Sequence, residues 1–227
     1  MVDENIWKRS SSDDFGPVIG IDLGTSNCCA AIWYPTKNRA KIIKNLKEGK
    51  FYTWIIFPFY IPAIPFTERT TSTAIDFHYD FNNYTVGGAR GVTGFKYLIG
   101  MKHINEALKQ HFHGSELGIE DDELLGIKCT NQSHDVKIIS AEELSSYVLR
   151  YLKESCENYL KKKPIRGLPE ICDLIHTKGI IRRVVVGVPA HFNEHKREAT
   201  RAAAHLAGFT EVNITSRLLF ITFIFQY

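Results

Sequence analysis

The sequence predicts an α/β fold, and three observations indicate it. Apolar strands open the chain, with a tight turn between the first two. A strongly periodic helix starts near residue 140, and a β-branched run followed by a second helix comes after it. A series of strands followed by a helix, a strand and a helix is typical of an α/β lobe. The 227 residues, 44% of them hydrophobic and 23% charged, are enough to bury a core.

The opening strands are "PVIGIDLG" and "CCAAIWY", and the Gly-Thr-Ser-Asn turn between them predicts a hairpin. The segment "AKIIKN" predicts a third strand. Residues 1–16 precede these strands and carry acidic side chains without an apolar segment. We therefore expect a disordered lead-in there, and not a secretory signal.

The strongest helix signal is "SAEELSSYVLRYLKESCENYLKKK", in which Ser140 and Glu143 form a capping box. Pro164 ends this helix. The apolar side chains on one face are Leu144, Val148, Tyr151 and Leu152. The run "IRRVVVGVP" predicts a strand buried on both faces. The segment "FNEHKREATRAAAHLAG" then predicts a helix closed by Gly208.

Composition excludes several classes of protein. The net charge of +3 is small and the Lys and Arg residues are dispersed, so we expect no nucleic-acid surface. The five cysteines lack Cys-x-x-Cys pairs, which argues against zinc and redox motifs and favours reduced thiols in a cytoplasmic protein. Residues 51–66 are apolar but short and rich in proline, so we expect no transmembrane segment.

The stretch "IDLGTSN", residues 21–27, has the composition of a phosphate-binding turn. Glycine lets backbone N–H groups approach a phosphate, and the Thr25 and Ser26 hydroxyls add donors. Asp22, at the mouth of the turn, can hold Mg²⁺ directly or through water. The same composition also makes an ordinary turn, so these residues alone leave both interpretations open.

"GIDLGTSNCCAAIW" resembles the opening of the seventy-kilodalton heat-shock chaperone family. "ERTTSTAIDF", "GFKYLIG" and "VVVGVPAHFNEHKREATRAAAHLAGF" resemble later segments of that family, in the family's order, across most of residues 17–209. The resemblance implies an actin-like ATPase (ribonuclease H-like) fold and ATP-driven binding and release of unfolded polypeptide. It also implies ATP/ADP and Mg²⁺ as cofactors, and unfolded clients and co-chaperones as partners.

The resemblance also implies roles for individual residues. Asp22 would hold Mg²⁺ through water, and Lys96 would orient the attacking water beside the γ-phosphate. Pro189 and Arg197 would pass the nucleotide state to the substrate domain. Without the resemblance, Lys96 is a surface lysine and the Pro189–Arg197 pair marks a strand end and a solvated helix face. The residues that would wrap the β- and γ-phosphates are Gly24, Thr25, Ser26 and Asn27.

The chain departs from the family after "AGF", where the family has a glutamate that serves the magnesium and water site. Here "TEVNITSRLLFITFIFQY" follows instead. We therefore expect a first lobe only, with ATP hydrolysis impaired or absent. One alternative is a non-catalytic interaction module derived from the lobe, and another is a sugar or acetate kinase that shares the hairpin. The expected parts are a lobe core (17–49 and 140–215), a smaller inserted mixed α/β subdomain (68–139), an apolar insertion (50–67) and an aberrant apolar tail (216–227).

We interpret the apolar insertion as a retained intron. Residues 49–51 can be encoded with the splice-donor string GTAAGT, and residues 66–68 with a pyrimidine-then-CAG acceptor. The alternative is a genuine loop that contacts a membrane or a partner. A one-base slip in a Glu-Pro-Ala-Ala coding sequence likewise yields residues 216–219, and the alternative there is a true β-strand that caps the lobe.

Overall fold

The computed structural model describes residues 17–34, 39–43, 70–88, 91–103, 117–120, 124–162, 181–217 and 220. The predicted lead-in and the apolar insertion lie outside these residues. The helices are α1 (Ala141–Lys162) and α2 (Glu194–Leu206). The strands are β1 (Val18–Asp22), β2 (Asn27–Tyr34), β3 (Arg39–Ile42), β4 (Thr71–Ser72), β5 (Ile75–Phe77), β6 (Tyr84–Val86), β7 (Leu117–Glu120), β8 (Leu124–Thr130), β9 (Val136–Ser140), β10 (Arg183–Val188) and β11 (Glu211–Ser216).

A mixed sheet with the order β11-β10-β1-β2-β3 forms the centre of the fold, and β4 pairs with the start of β2. β1 and β2 are antiparallel, as are β2 and β3. β10 runs parallel to both β1 and β11. The predicted hairpin, the third strand and the α/β class are therefore confirmed. The carboxyl ends of β1, β10 and β11 meet at one edge of the sheet, and Asp22 is the last residue of β1.

The described strands between β4 and α1 pair antiparallel. β5 pairs with β6, and β7, β8 and β9 form a three-stranded sheet. β9 continues directly into α1. The division of the chain into a lobe core and an inserted subdomain remains a prediction.

Local sequence signals fix both helices. The Ser140 hydroxyl accepts a hydrogen bond of 3.1 Å from the Glu143 backbone N–H, as its place in the capping box predicts. At the start of α2, the Asn193 side chain accepts one of 3.0 Å from the Lys196 N–H. Gly208 follows α2 with a φ of +87°, a conformation that favours glycine after a helix. The predicted helices are therefore confirmed.

The sheet is covered on both faces. Ile19 and Ile21 of β1 are fully buried in the main core, together with apolar residues of α1 and α2. Side chains on the alternate strand positions join Phe220 in a second cluster, which contains Val18, Trp33 and Val185. Every residue of β10 is buried, so the prediction of a strand covered on both faces is confirmed.

The segment judged too short and too rich in proline to cross a membrane, residues 51–66, lies outside the described residues. Within the ranges given above, neither helix combines the length and apolar character needed to cross a membrane. The described cysteines are Cys28, Cys29, Cys129 and Cys156, and all four are free thiols.

Candidate functional site

The turn between β1 and β2 is too tight for any residue but glycine at position 24. A Cβ atom built on Gly24 would overlap the backbone carbonyl oxygen of Asn27. Gly24 is buried, Thr25 is half-buried and Ser26 is exposed. The turn therefore brings its backbone close together, and it carries two hydroxyl residues that are not fully buried.

Thr73, which directly follows β4, braces this turn. Its hydroxyl donates a hydrogen bond of 2.6 Å to the Thr25 carbonyl oxygen, and its N–H donates one of 3.0 Å to the Ser26 carbonyl oxygen. Thr73 itself is buried. Carbonyl oxygens repel an anion, and these two are turned towards Thr73. The turn is thus held in one conformation by a residue that the sequence did not single out.

Lys96 lies in a short 3-10 turn, Phe95–Tyr97, and is only 4% exposed. In the described part of the chain, its Nζ atom has no hydrogen-bond partner. The amine lies 5.7 Å from the centre of the Phe192 ring. The charges of Arg217 and Asp22 both act on its pKa, so the fold brings Lys96 into the electrostatic neighbourhood of Asp22.

Burial lowers the pKa of Lys96 to about 8, because the ammonium loses its water and gains no full counter-ion. The neighbouring Cys28 thiol stays neutral at physiological pH, since burial raises its pKa to about 12. A buried ammonium without a paired anion destabilises the folded state. An anionic ligand at the turn would supply the missing charge.

Asp22 forms an ion pair with Arg217. The Arg217 Nε atom lies 2.8 Å from Asp22 Oδ1, and its Nη2 atom donates a hydrogen bond of 3.3 Å to the Leu23 carbonyl oxygen. Arg217 belongs to the segment predicted as an aberrant tail, and its contact with Asp22 is not among the sequence-based predictions. The available signal was topological: Arg217 directly follows β11, whose carboxyl end lies at the same edge of the sheet as Asp22.

These residues fit an anion better than a divalent cation. The buried Lys96 amine and the turn hydroxyls are suited to phosphate oxygens. Arg217 engages the Oδ1 atom of the Asp22 carboxylate, and its positive charge disfavours a divalent cation beside that carboxylate. The described residues also contain no group of three or more His, Cys, Asp or Glu side chains that could hold a metal ion. As arranged, the site does not fit Mg²⁺.

Pro189 and Arg197 are both connected to Phe192. The Phe192 N–H donates a hydrogen bond of 3.1 Å to the Pro189 carbonyl oxygen. The Arg197 Nε atom donates one of 3.1 Å to the Phe192 carbonyl oxygen. Because the Phe192 ring also lies beside the Lys96 amine, it connects the predicted relay pair with the predicted catalytic lysine. The sequence analysis did not select Phe192.

A family model described as "Hsp70 protein" matches residues 18–216. The chain is 28% identical over 201 residues to the "Heat shock 70 kDa protein" of Neurospora crassa, an alignment that covers 87% of this chain and 26% of that relative. It is 29% identical over 201 residues to the "Heat shock cognate HSP70 protein" of Trypanosoma brucei brucei, with 86% and 25% covered. The chain spans about a quarter of the length of these curated relatives.

Proposed function

Because this chain belongs to the Hsp70 family, we propose that it carries the phosphate-binding part of an ATP-dependent molecular chaperone. The family implies an actin-like ATPase fold, and the mixed sheet flanked by α1 and α2 agrees with that class. The proposed ligand is ATP or ADP. Its phosphates would lie against the β1–β2 turn, at the edge of the sheet where β1, β10 and β11 end.

The observation that carries this proposal is the buried Lys96 amine, whose pKa responds to Asp22 and Cys28 on either side of the braced turn. A lysine that is 4% exposed and has no hydrogen-bond partner among the described residues is costly to the fold. A phosphate oxygen would remove that cost by pairing with the ammonium. Thr25 and Ser26 would donate hydroxyl hydrogen bonds to the same phosphates, and Gly24 and Asn27 would complete the backbone cradle.

We propose that hydrolysis is weaker than nucleotide binding. Members of the family bind nucleotide together with Mg²⁺, and Asp22 was predicted to hold that ion through water. Here Arg217 engages the Asp22 carboxylate. At the place where the resemblance calls for a glutamate, β11 ends at Ser216 and Arg217 follows. A site with a guanidinium in place of a carboxylate is poorly built to position and activate water.

We further propose that Pro189 and Arg197 report nucleotide state through Phe192. A phosphate that draws the Lys96 amine would change its contact with the Phe192 ring, and both relay residues bond to the Phe192 backbone. The partners to which this state is passed would be unfolded polypeptides and co-chaperones. We keep the cytoplasm as the predicted compartment, in line with the four free thiols, and predict no nucleic-acid partner.

The second candidate function is an interaction module that no longer uses nucleotide. The Asp22–Arg217 ion pair favours it, because it ties up a side chain that nucleotide-bound Mg²⁺ would use. The two functions differ in one measurable property, which is the affinity of the isolated chain for ATP.

Isothermal titration with Mg-ATP tests the proposal. We expect the chain to bind ATP, and Lys96→Met to weaken binding at least about tenfold, since a charge-assisted hydrogen bond contributes roughly 1.5–3 kcal/mol. Lys196→Met is the matched control. The Lys196 amine also lies beside the Phe192 ring, 5.3 Å from the ring centre, but Lys196 is not buried. Its affinity should stay within about twofold of the wild type. A chain that binds no ATP at about 1 mM would support the interaction module instead.

A further inference from the structure

The Arg217 guanidinium lies at the mouth of the turn and is held there by two hydrogen bonds. One bond goes to Asp22 Oδ1 and the other to the Leu23 carbonyl oxygen. Asp22 ends β1 and Arg217 follows β11, so the two side chains come from strands that are separated in the sheet by β10. Among the described residues, these two bonds use only part of the guanidinium's N–H donors. The others can meet an oxygen of a ligand.

A divalent cation is at a disadvantage in this arrangement. Mg²⁺ takes carboxylate, phosphate and water oxygens, and the one carboxylate at the turn accepts from Arg217 at 2.8 Å. A metal ion beside Asp22 would have to break that bond or lie close to the positive charge of Arg217. Two positive charges that are close together and partly buried repel each other strongly. Within the described ranges, no cluster of acidic, His or Cys side chains offers Mg²⁺ another place.

The same charges that disfavour a divalent cation at this site favour a phosphate-bearing anion. Arg217 lies at the mouth of the turn, where it contacts Asp22 and the Leu23 carbonyl oxygen. The charges of Arg217 and Asp22 both act on the pKa of Lys96, so two cations and a single carboxylate share one electrostatic neighbourhood. The guanidinium fork matches the geometry of phosphate oxygens. Lys96 is buried and its amine has no hydrogen-bond partner in the described part of the chain, so it gains most from an anion.

We propose that Arg217 stands in for the divalent cation, so that this site binds phosphate-bearing anions without Mg²⁺. This inference rests on the proposed nucleotide-binding function and adds that Arg217 supplies the positive charge that pairs with the phosphates of the ligand. Arg217 lies one residue beyond the stretch that the Hsp70 family model matches, and that match assigns it no role. The Arg217 guanidinium would neutralise phosphate charge when the ligand binds, in the place where nucleotide-bound Mg²⁺ would otherwise do so.

The experiment is isothermal titration of the full chain with ATP and, separately, with inorganic pyrophosphate, each with excess Mg²⁺ and with EDTA. The variants are Arg217→Gln, which removes the charge, and Arg217→Lys, which keeps it. Arg201→Gln is the control, because Arg201 carries the same charge on α2, where it pairs with Glu198. A second readout is direct titration of each ligand-free protein with Mn²⁺.

We expect the wild type to bind both ligands with affinities that agree within about threefold in Mg²⁺ and in EDTA, and Arg201→Gln to behave in the same way. Arg217→Gln should bind at least about tenfold more weakly in EDTA and regain affinity with Mg²⁺, since the loss of one charge-assisted contact corresponds to about that factor. It should also bind Mn²⁺ more tightly than the wild type, because Asp22 is released. Arg217→Lys should retain binding in EDTA.

Two results would overturn the inference while leaving the proposed function intact: a wild type whose ATP binding falls at least about tenfold in EDTA, or an Arg217→Gln variant with unchanged dependence on Mg²⁺. If Arg217→Gln does not fold, the wild-type comparison and Arg217→Lys still decide. A wild type that binds neither ligand in either buffer would overturn both the inference and the proposed function.

Discussion

Replacing Lys96 with methionine should stabilise the fold, because the wild type buries an ammonium group that has no counter-ion bonded to it among the described residues. Methionine is a flexible, unbranched side chain of similar length that carries no charge. Lys96 is 4% exposed and its amine has no hydrogen-bond partner among the described residues. The substitution therefore removes an uncompensated charge from the core while it keeps the chain's contact with Phe192.

The expected gain follows from the pKa of Lys96. Burial lowers this pKa from its ordinary value of 10.5 to about 8. Each factor of ten in a protonation constant corresponds to about 1.4 kcal/mol, so the charged form of Lys96 costs about 3 kcal/mol at neutral pH. In a chain of this size, the methionine variant should melt roughly 6–12 °C above the wild type.

The gain should depend on pH in one direction. Below about pH 8, Lys96 is protonated in both the folded and the unfolded wild type, and the whole cost is present. Between about pH 8 and pH 10.5 the unfolded chain binds more protons than the folded chain, so the free energy of unfolding of the wild type rises with pH. The wild type should therefore approach the stability of Lys96→Met as the pH nears 10.5.

Urea denaturation at a series of pH values measures both effects, with Lys196→Met as control. Lys196 is only half-buried, so its substitution should change the free energy of unfolding by less than about 0.5 kcal/mol. The reasoning would be refuted if Lys96→Met were less stable than the wild type at neutral pH. It would also be refuted if their difference stayed constant up to pH 10.5.

Two further substitutions test the turn itself. Gly24→Ala should abolish ATP binding and lower the free energy of unfolding by at least about 1 kcal/mol, because its Cβ atom would overlap the Asn27 carbonyl oxygen. Titration calorimetry and urea melts measure the two effects, and unchanged ATP affinity would contradict the tight turn. Thr73→Val should cost about 1 kcal/mol and weaken ATP binding about threefold, since it removes the hydroxyl that braces the turn. Thr200→Val, which removes a hydroxyl bond within α2, should cost similar stability and leave ATP affinity unchanged.

Some residues could be placed from the sequence because their neighbours along the chain decide their structure. The Ser140 cap, the glycine after α2 and the unbroken apolar run of β10 each depend on a few adjacent positions. The hairpin at Gly24 was predicted in the same way, from a turn composition between two apolar strands. The resemblance then singled out Asp22 and Lys96, which lie far apart in the chain and fall in one electrostatic neighbourhood in the fold.

The sequence by itself determined the first three strands, the two helices with the strand between them, and the family. Periodicity, caps and turn residues depend on a few adjacent positions, so they can be read from the sequence. An ordered set of motifs likewise indicates the family without a structure. Only the tertiary structure decided the charge state of the site. Arg217 is 195 positions from Asp22, and the two meet because β1 and β11 end at the same edge of the sheet. Thr73 and Phe192 likewise gained their roles through strand pairing and packing, since no local pattern records which distant side chain will lie beside a turn.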